Sequence, residues 1–190
     1  KLNNGLVVPL RKKILWSEYG PVLKNDSGVF SFHLSALENI SAIEQWYQMN
    51  KANNFEDFKR ALNIMGIPRF NIIYADRDDN IFYMSNARLS VRDSSIDWRE
   101  LVIGDVSSLI LKNYHPYEDL PKILNPPSGY LFNTNNSPFN ITSKEYNLLE
   151  DNYNSSFSFR EKENNRSLRF MEMIDCLLYT SDAADEVRRG

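Results

Sequence analysis

The sequence predicts an α+β domain, and three observations carry that prediction. Two stretches place apolar residues at helical spacing: Ile43, Trp46, Tyr47 and Met49 in one, and Phe55, Phe58, Leu62 and Met65 in the other. The run from Arg69 to Ala75 alternates like a strand and, after the polar turn Asp76-Arg77-Asp78-Asp79-Asn80, returns as Ile81-Phe82-Tyr83-Met84, the second arm of a hairpin. At 190 residues, with 42% hydrophobic and 13% aromatic residues, the chain is long and apolar enough for one domain with a sizeable core.

Each element follows from local chemistry. Lys12 to Val22 reads as extended chain, with Gly20-Pro21 as the turn that closes it. Val29 to Leu34 alternates as a half-buried strand, with His33 on its polar side beside Ser31 and Ser35. Ser41 with Glu44 has the spacing of a capping box for the first helix, and Asn54 with Asp57 that of an N-cap for the second. Gly66 and Pro68 stop the second helix. On the strand Arg69 to Ala75, Phe70, Ile72 and Tyr74 point one way and Asn71, Ile73 and Ala75 the other. Both faces are mainly apolar, which predicts a strand covered on both sides. Asn113 to Asn140 contains Pro116, Pro121, Pro126, Pro127 and Pro138, so it reads as a long ordered loop interrupted by one short strand, Tyr130-Leu131-Phe132. A last helix is expected from near Arg160 through Leu168 and Met171. Neither an internal repeat nor a domain boundary is evident.

Composition removes several function classes. A net charge of −3 argues against a dedicated nucleic-acid or anionic-membrane binder. No apolar run approaches the roughly 20 residues that cross a bilayer. The single Cys176 leaves no internal disulfide framework or Cys-rich zinc site. His33 and His115 alone leave little for a His-based metal centre or triad. No glycine pattern matches a phosphate-cradling loop.

The two ends carry their own expectations. The chain opens at Lys1-Leu2-Asn3-Asn4 without Met or signal peptide, which predicts a piece of a longer protein. Cys176-Leu177-Leu178-Tyr179-Thr180-Ser181-Asp182-Ala183-Ala184-Asp185-Glu186 resembles the in-frame translation of a transposase sequencing adapter. Residues 1–175 are therefore read as the domain and 176–190 as a non-biological tail.

Among candidate site residues, Asn71 stands out as a polar amide on an apolar strand. Two readings are open: an amide satisfied by neighbouring backbone groups, or a side-chain N–H aimed at a developing oxyanion. Arg92 lies beyond the hairpin, either reaching the same end of the sheet or forming an ordinary surface salt bridge. Ser85-Asn86 offers a serine, but no elbow motif or base accompanies it.

A resemblance bears on these choices. Tyr19-Gly20-Pro21-Val22-Leu23, then Met65-Gly66-Ile67-Pro68-Arg69-Phe70-Asn71-Ile72-Ile73-Tyr74-Ala75-Asp76 and Asn80-Ile81-Phe82-Tyr83, are similar to the penicillin acylase (penicillin amidase) family. So is Leu120-Pro121-Lys122-Ile123-Leu124-Asn125-Pro126-Pro127-Ser128-Gly129-Tyr130-Leu131-Phe132-Asn133-Thr134-Asn135-Asn136-Ser137-Pro138. The matches keep the family's order across roughly residues 12 to 140, with an echo at Asn165 to Met171. The family's Asp-Gly-Asn-Ile-Gly-Tyr turn departs here to Asp78-Asp79-Asn80-Ile81-Phe82-Tyr83.

The resemblance implies part of an N-terminal-nucleophile (Ntn) hydrolase, a partial αββα sandwich from the β subunit. In that family a self-cleaved N-terminal Ser attacks an amide carbonyl, with its own α-amine, of pKa roughly 7.7–8.0, as base. It further implies Asn71 as an oxyanion-hole donor and Arg92 as an orienting residue, with the nucleophilic Ser absent from this chain. Expected partners are a small N-acylated substrate and the remainder of the precursor: the α subunit and the N-terminal part of the β subunit. The family implies a periplasmic or secreted setting, no required cofactor, and in some members a structural calcium, for which no ligand is assigned here. Two rival readings are an acylase-like scaffold that has lost catalysis and an unrelated α+β interaction module.

Overall fold

The computed structural model describes residues 13–98, 100–159 and 163–188. The first sheet is an antiparallel meander of β1 (Leu15–Ser17), β2 (Gly20–Asn25) and β3 (Gly28–Ser31), in that order. The reversal falls at Glu18-Tyr19, where Ser17 Oγ accepts the Tyr19 N–H at 3.2 Å. Gly20-Pro21 therefore opens β2 instead of closing the run. Lys12, the first residue of the predicted stretch, lies outside the described residues. β3 ends at Ser31, earlier than the alternation from Val29 to Leu34 predicts, so His33 and Leu34 leave the sheet.

Two helices, α1 (Ala42–Lys51) and α2 (Phe55–Leu62), precede a second antiparallel sheet. It contains β4 (Phe70–Ala75), β5 (Ile81–Asn86) and β6 (Lys122–Leu124), in the order β4-β5-β6. The predicted cap of α2 forms: Asn54 Oδ1 accepts the Asp57 N–H at 2.9 Å. The predicted capping box of α1 does not. Ser41 makes no side-chain cap, and its amide is turned toward Asn39 Oδ1 at 2.9 Å. The second helix ends at Leu62, three residues short of Met65, which adopts a left-handed φ of 54°. Gly66 follows in tight contact with the start of α1, where an added Cβ would lie 2.5 Å from the Ser41 carbonyl carbon.

That close approach is held by a buried polar node. Gln45 Oε1 accepts the N–H groups of Gly66 at 2.7 Å and Ile67 at 3.0 Å. Its Nε2 donates to Asn86 Oδ1 at 2.9 Å, and Asn86 Nδ2 donates to the Leu62 carbonyl at 3.2 Å. Gln45 and Asn86 are both fully buried, so every one of these groups has lost water and depends on the others.

The helix pair covers one face of the second sheet. Register pairs Ile72 with Met84 and Tyr74 with Phe82, and these side chains meet Phe58 and Leu62 in one core. The Phe55 ring lies 5.0 Å from Phe82, and Phe58 lies 4.5 Å from Tyr74. Here one expectation is overturned. The strand covered on both faces is β5, buried from Phe82 to Asn86, whereas β4 leaves Phe70 46% and Ile73 44% exposed. The reason is position: β5 sits between two strands, and β4 is the sheet edge.

The proline-rich region also departs from its reading. Its strand is β6, whose flanking Pro121 accepts the Ser85 N–H through its carbonyl at 2.9 Å. Three residues between prolines show no periodicity that a sequence reading can use. Tyr130-Leu131-Phe132 forms no strand; Phe132 is buried and stacks on Phe170 at 4.4 Å. Phe170 belongs to α3 (Asn165–Arg188), which begins after the expected Arg160, itself outside the described residues. Cys176 and Leu177 on α3 are exposed. Among the described residues no helix is long and apolar enough to cross a membrane.

Removing the Gln45 amide leaves the Gly66 and Ile67 donors and the Asn86 acceptor buried and unpaired. Gln45→Ala should destabilise the fold by about 3 kcal/mol in chemical denaturation, against about 1 kcal/mol for loss of the Asn54 cap in Asn54→Ala. Alkali should act through three phenols. Burial pushes Tyr74, Tyr114 and Tyr117 from 10.0 up to about 12, helped by Asp76, Glu38 and Glu118 respectively. The folded state thus favours the neutral phenols. Their contribution is whole below the unfolded value of 10.0 and is lost as pH rises toward about 12. Denaturant midpoints measured across that window should fall, together with phenolate absorbance appearing later than in the unfolded chain.

Candidate functional site

Asn71 is the second residue of β4 and shares with Ile73 and Ala75 the face turned away from the helices. Directly across the ladder is Ser85, fully buried, whose Oγ has no hydrogen-bond partner among the described residues. The Asn71 amide Nδ2 donates to Asn133 Oδ1 at 3.2 Å and to the Asn136 carbonyl at 3.3 Å. Both bonds lie at the long end of the N–H···O range.

The loop supplying these acceptors is built from its own asparagines. Asn136 is fully buried; its Oδ1 accepts from Thr134 N at 2.8 Å and Thr134 Oγ1 at 2.9 Å, and its Nδ2 donates to the Asn140 carbonyl. Asn133 Oδ1 also accepts the Asn135 N–H at 2.9 Å. Asn135 itself takes φ 63°, a left-handed conformation that Asn tolerates better than most residues. From α3, Arg166 donates to the Thr134 carbonyl at 2.8 Å and to Asn135 Oδ1 at 2.9 Å, and Asn164, just before the helix, donates its Nδ2 to the same carbonyl at 3.0 Å.

Chemically, Asn71 is a neutral, half-buried double donor held on weak neutral acceptors. An anionic oxygen arriving on that face is a stronger acceptor than either. Sequence reading singled out Asn71 but not Asn133, Asn136 or Arg166. The one available signal was four consecutive short polar residues, Asn133-Thr134-Asn135-Asn136, inside an otherwise apolar and proline-rich stretch.

Arg92 lies beyond the end of β5 with a separate set of neighbours. Its guanidinium is 5.9 Å from the Trp98 ring centroid, and its Nε is buried with no hydrogen-bond partner among the described residues. Burial lowers its pKa, yet an arginine remains a cation across the working range of proteins. Next to it Asp93, Ser95, Trp98, Ser156 and Phe159 help line an open cleft. The hydroxyl and N–H of Ser95 hold the Asp93 carboxyl below the usual carboxylate range.

Both histidines are held by neighbouring side chains. His33 Nε2 lies 3.1 Å from Ser90 Oγ, and its Nδ1 lies 3.8 Å from Glu38. Tyr114 donates to the other Glu38 oxygen, and Arg88 stands 4.0 Å over the Tyr114 ring. Ser90 is buried and Glu38 is beyond hydrogen-bond reach of the imidazole, so the group ties the segment after β3 to the segment after β5. His115 is buried, with Nδ1 3.1 Å from Asp119 and its ring edge-on to Phe157. Among the described residues no group of three or more His, Cys, Asp or Glu stands close enough to hold a metal ion.

Known proteins share this arrangement of chain. The chain is 33% identical over 106 residues to penicillin G acylase of Escherichia coli, an alignment covering 53% of this chain and 12% of the relative. It is 30% identical over 93 residues to the acyl-homoserine lactone acylase PvdQ of Pseudomonas fluorescens strain Pf0-1, covering 45% and 12%. Among solved structures, the thermostable penicillin G acylase from Alcaligenes faecalis superposes with a TM-score of 0.57 at 28% identity, over 72% of this chain and 26% of that one. The chain thus spans 12% of the length of these curated relatives. With its mixed helices and strands, it is a partial α+β fold of the Ntn-hydrolase type. A sequence model of the penicillin amidase family matches residues 6–187, a match that runs into the segment from Cys176. The chain belongs to the penicillin amidase family.

Proposed function

We propose that this chain is part of an amidohydrolase that cleaves the amide bond of N-acylated small molecules, with Asn71 stabilising the oxyanion. The observation that carries the reading is the placement of Asn71: a neutral donor on the open face of an edge strand, held by acceptors that a developing negative charge would outcompete. Family membership supplies the reaction class, and the names of the relatives, a penicillin G acylase and an acyl-homoserine lactone acylase, support an N-acyl substrate.

In this mechanism a serine Oγ from outside these residues attacks the amide carbonyl. Its proton passes to an α-amine, which acts as base. As the C–O bond forms, the carbonyl oxygen gains negative charge and takes one N–H of Asn71. Collapse breaks the C–N bond and releases the amine, which receives the proton. Water then hydrolyses the acyl-serine to a carboxylic acid. No cofactor enters these steps. Asn71 suits this place because an amide donates without ionising, so it serves across the pH range in which the α-amine is a free base. Arg92 stands among other neighbours beyond the hairpin, and an orienting role for it rests on the family resemblance alone.

In the complete protein, Asn71→Ala should lower kcat by about 10²–10³-fold, the scale of one lost oxyanion donor. KM should change little, since the bond is made in the transition state. Asn71→Asp should be slower still, because an ionised carboxylate repels the oxyanion. Steady-state kinetics on an N-acyl chromogenic substrate measures both. Near-normal kcat in a folded, processed Asn71→Ala enzyme would overturn the assignment. So would a complete wild-type protein that binds N-acyl amides and never hydrolyses them.

A further inference from the structure

Asn71 does not aim itself. The terminal torsion of an Asn side chain is broad and roughly two-fold, so the direction of its N–H groups is set by whatever accepts them. Both acceptors here, Asn133 Oδ1 and the Asn136 carbonyl, belong to one loop. That loop is itself held from the exposed side by Arg166, which reaches both Thr134 and Asn135. Asn133 Oδ1 is the shared point, accepting from Asn71 and from the Asn135 N–H at once. We infer that Asn133 and Asn136 are positioning residues for Asn71, and that Arg166 on α3 fixes the loop that carries them.

The geometry separates aiming from folding. Asn136 is buried among several bonds of its own, and Phe132 anchors the loop against Phe170. Losing Asn133 Oδ1 therefore leaves the loop in place while freeing one Asn71 N–H from its fixed direction. When an oxyanion captures one N–H, the other must stay on a loop acceptor for the amide to keep its plane. Asn133 and Asn136 then act only through Asn71. This inference rests on the reading of Asn71 as an oxyanion donor, and the experiment distinguishes the two.

The test is a mutant cycle in the complete, processed enzyme: wild type, Asn71→Ala, Asn133→Ala and the double variant. Turnover is counted per titrated nucleophile, and thermal unfolding is followed alongside. Asn133→Ala should lower kcat by about tenfold with KM nearly unchanged, less than the roughly 10²-fold that a misplacement of a full ångström can cost. In the Asn71→Ala background it should cost nothing more, since its target is gone. Arg166→Ala should give a smaller loss in the same sense, recovered by Arg166→Lys, which keeps a donor for Thr134. Additive losses in the cycle, or wild-type or faster turnover by Asn133→Ala, would overturn the positioning role while leaving Asn71 as donor. Near-normal turnover by Asn71→Ala alone would overturn the reading beneath it. If Asn133→Ala is not recovered folded, the cycle with Arg166→Ala, a surface residue, decides by the same criterion.

Discussion

The register of the β4–β5 hairpin is the constraint from which the site follows. Ile72 and Tyr74 must face Phe58 and Leu62, and their partners Met84 and Phe82 must do the same. Because side chains alternate strictly along a strand, this commits Asn71 and Ser85 to the opposite face, side by side. A slip of one residue would bury the Asn71 amide against the helices and expose Ile72. The hydrophobic core therefore places the polar site without touching it. Burying side chains of this size contributes roughly 1.5–3 kcal/mol each, far more than the two long hydrogen bonds of Asn71.

The Gln45 node serves the same register at the end of the strands where Asn71 lies, one pair along. Phe70 pairs with Asn86 at the start of β4, and Asn86 is held by Gln45 and the Leu62 carbonyl. The tight passage of Gly66 past Ser41 delivers the chain into β4 at that point. A buried amide that bonds helix, connection and strand together penalises any alternative pairing, since each slip strands several donors out of water. Core and node thus agree on one register, and consistency of that kind is what makes a hairpin at a sheet edge specific.

Much of this was legible in the residues. Alternation along Arg69 to Ala75 located the hairpin and the face of Asn71, and Asn54 announced its own cap. What escaped the sequence was tertiary in origin. The edge position of β4 depends on β6, a strand of three residues flanked by prolines that no local pattern reveals. Apolar side chains on both faces of β4 implied cover on both sides, but at the sheet edge Phe70 and Ile73 stay half open, even though the Trp46 ring of α1 meets Phe70 edge-on at 6.1 Å. Ser41 and Glu44 had the spacing of a capping box, yet the Asn39 carboxamide took the Ser41 amide and the box never formed. The partners of Asn71 lie about sixty residues downstream, where spacing carries no information about contact.

The choice of an amide at this position has a further physical consequence. A lysine or arginine on the same face would also stabilise an oxyanion, but its charge would lower the pKa of a nearby α-amine and, once half-buried, require a permanent counter-ion. An Asn is satisfied at rest by neutral acceptors of the same chain and needs no partner charge. Its resting bonds are long, so exchanging one for a bond to an anionic oxygen forfeits little and gains a charge-assisted contact. Arg92, with its own ring partner and a buried Nε, keeps its positive charge in a separate neighbourhood. On the proposed reading the work would be divided between a neutral donor and a loop that aims it, with the cation of Arg92 held apart. Under the proposed role the ground-state carbonyl oxygen would be too weak an acceptor to displace Asn133 or Asn136, so the exchange would favour the transition state.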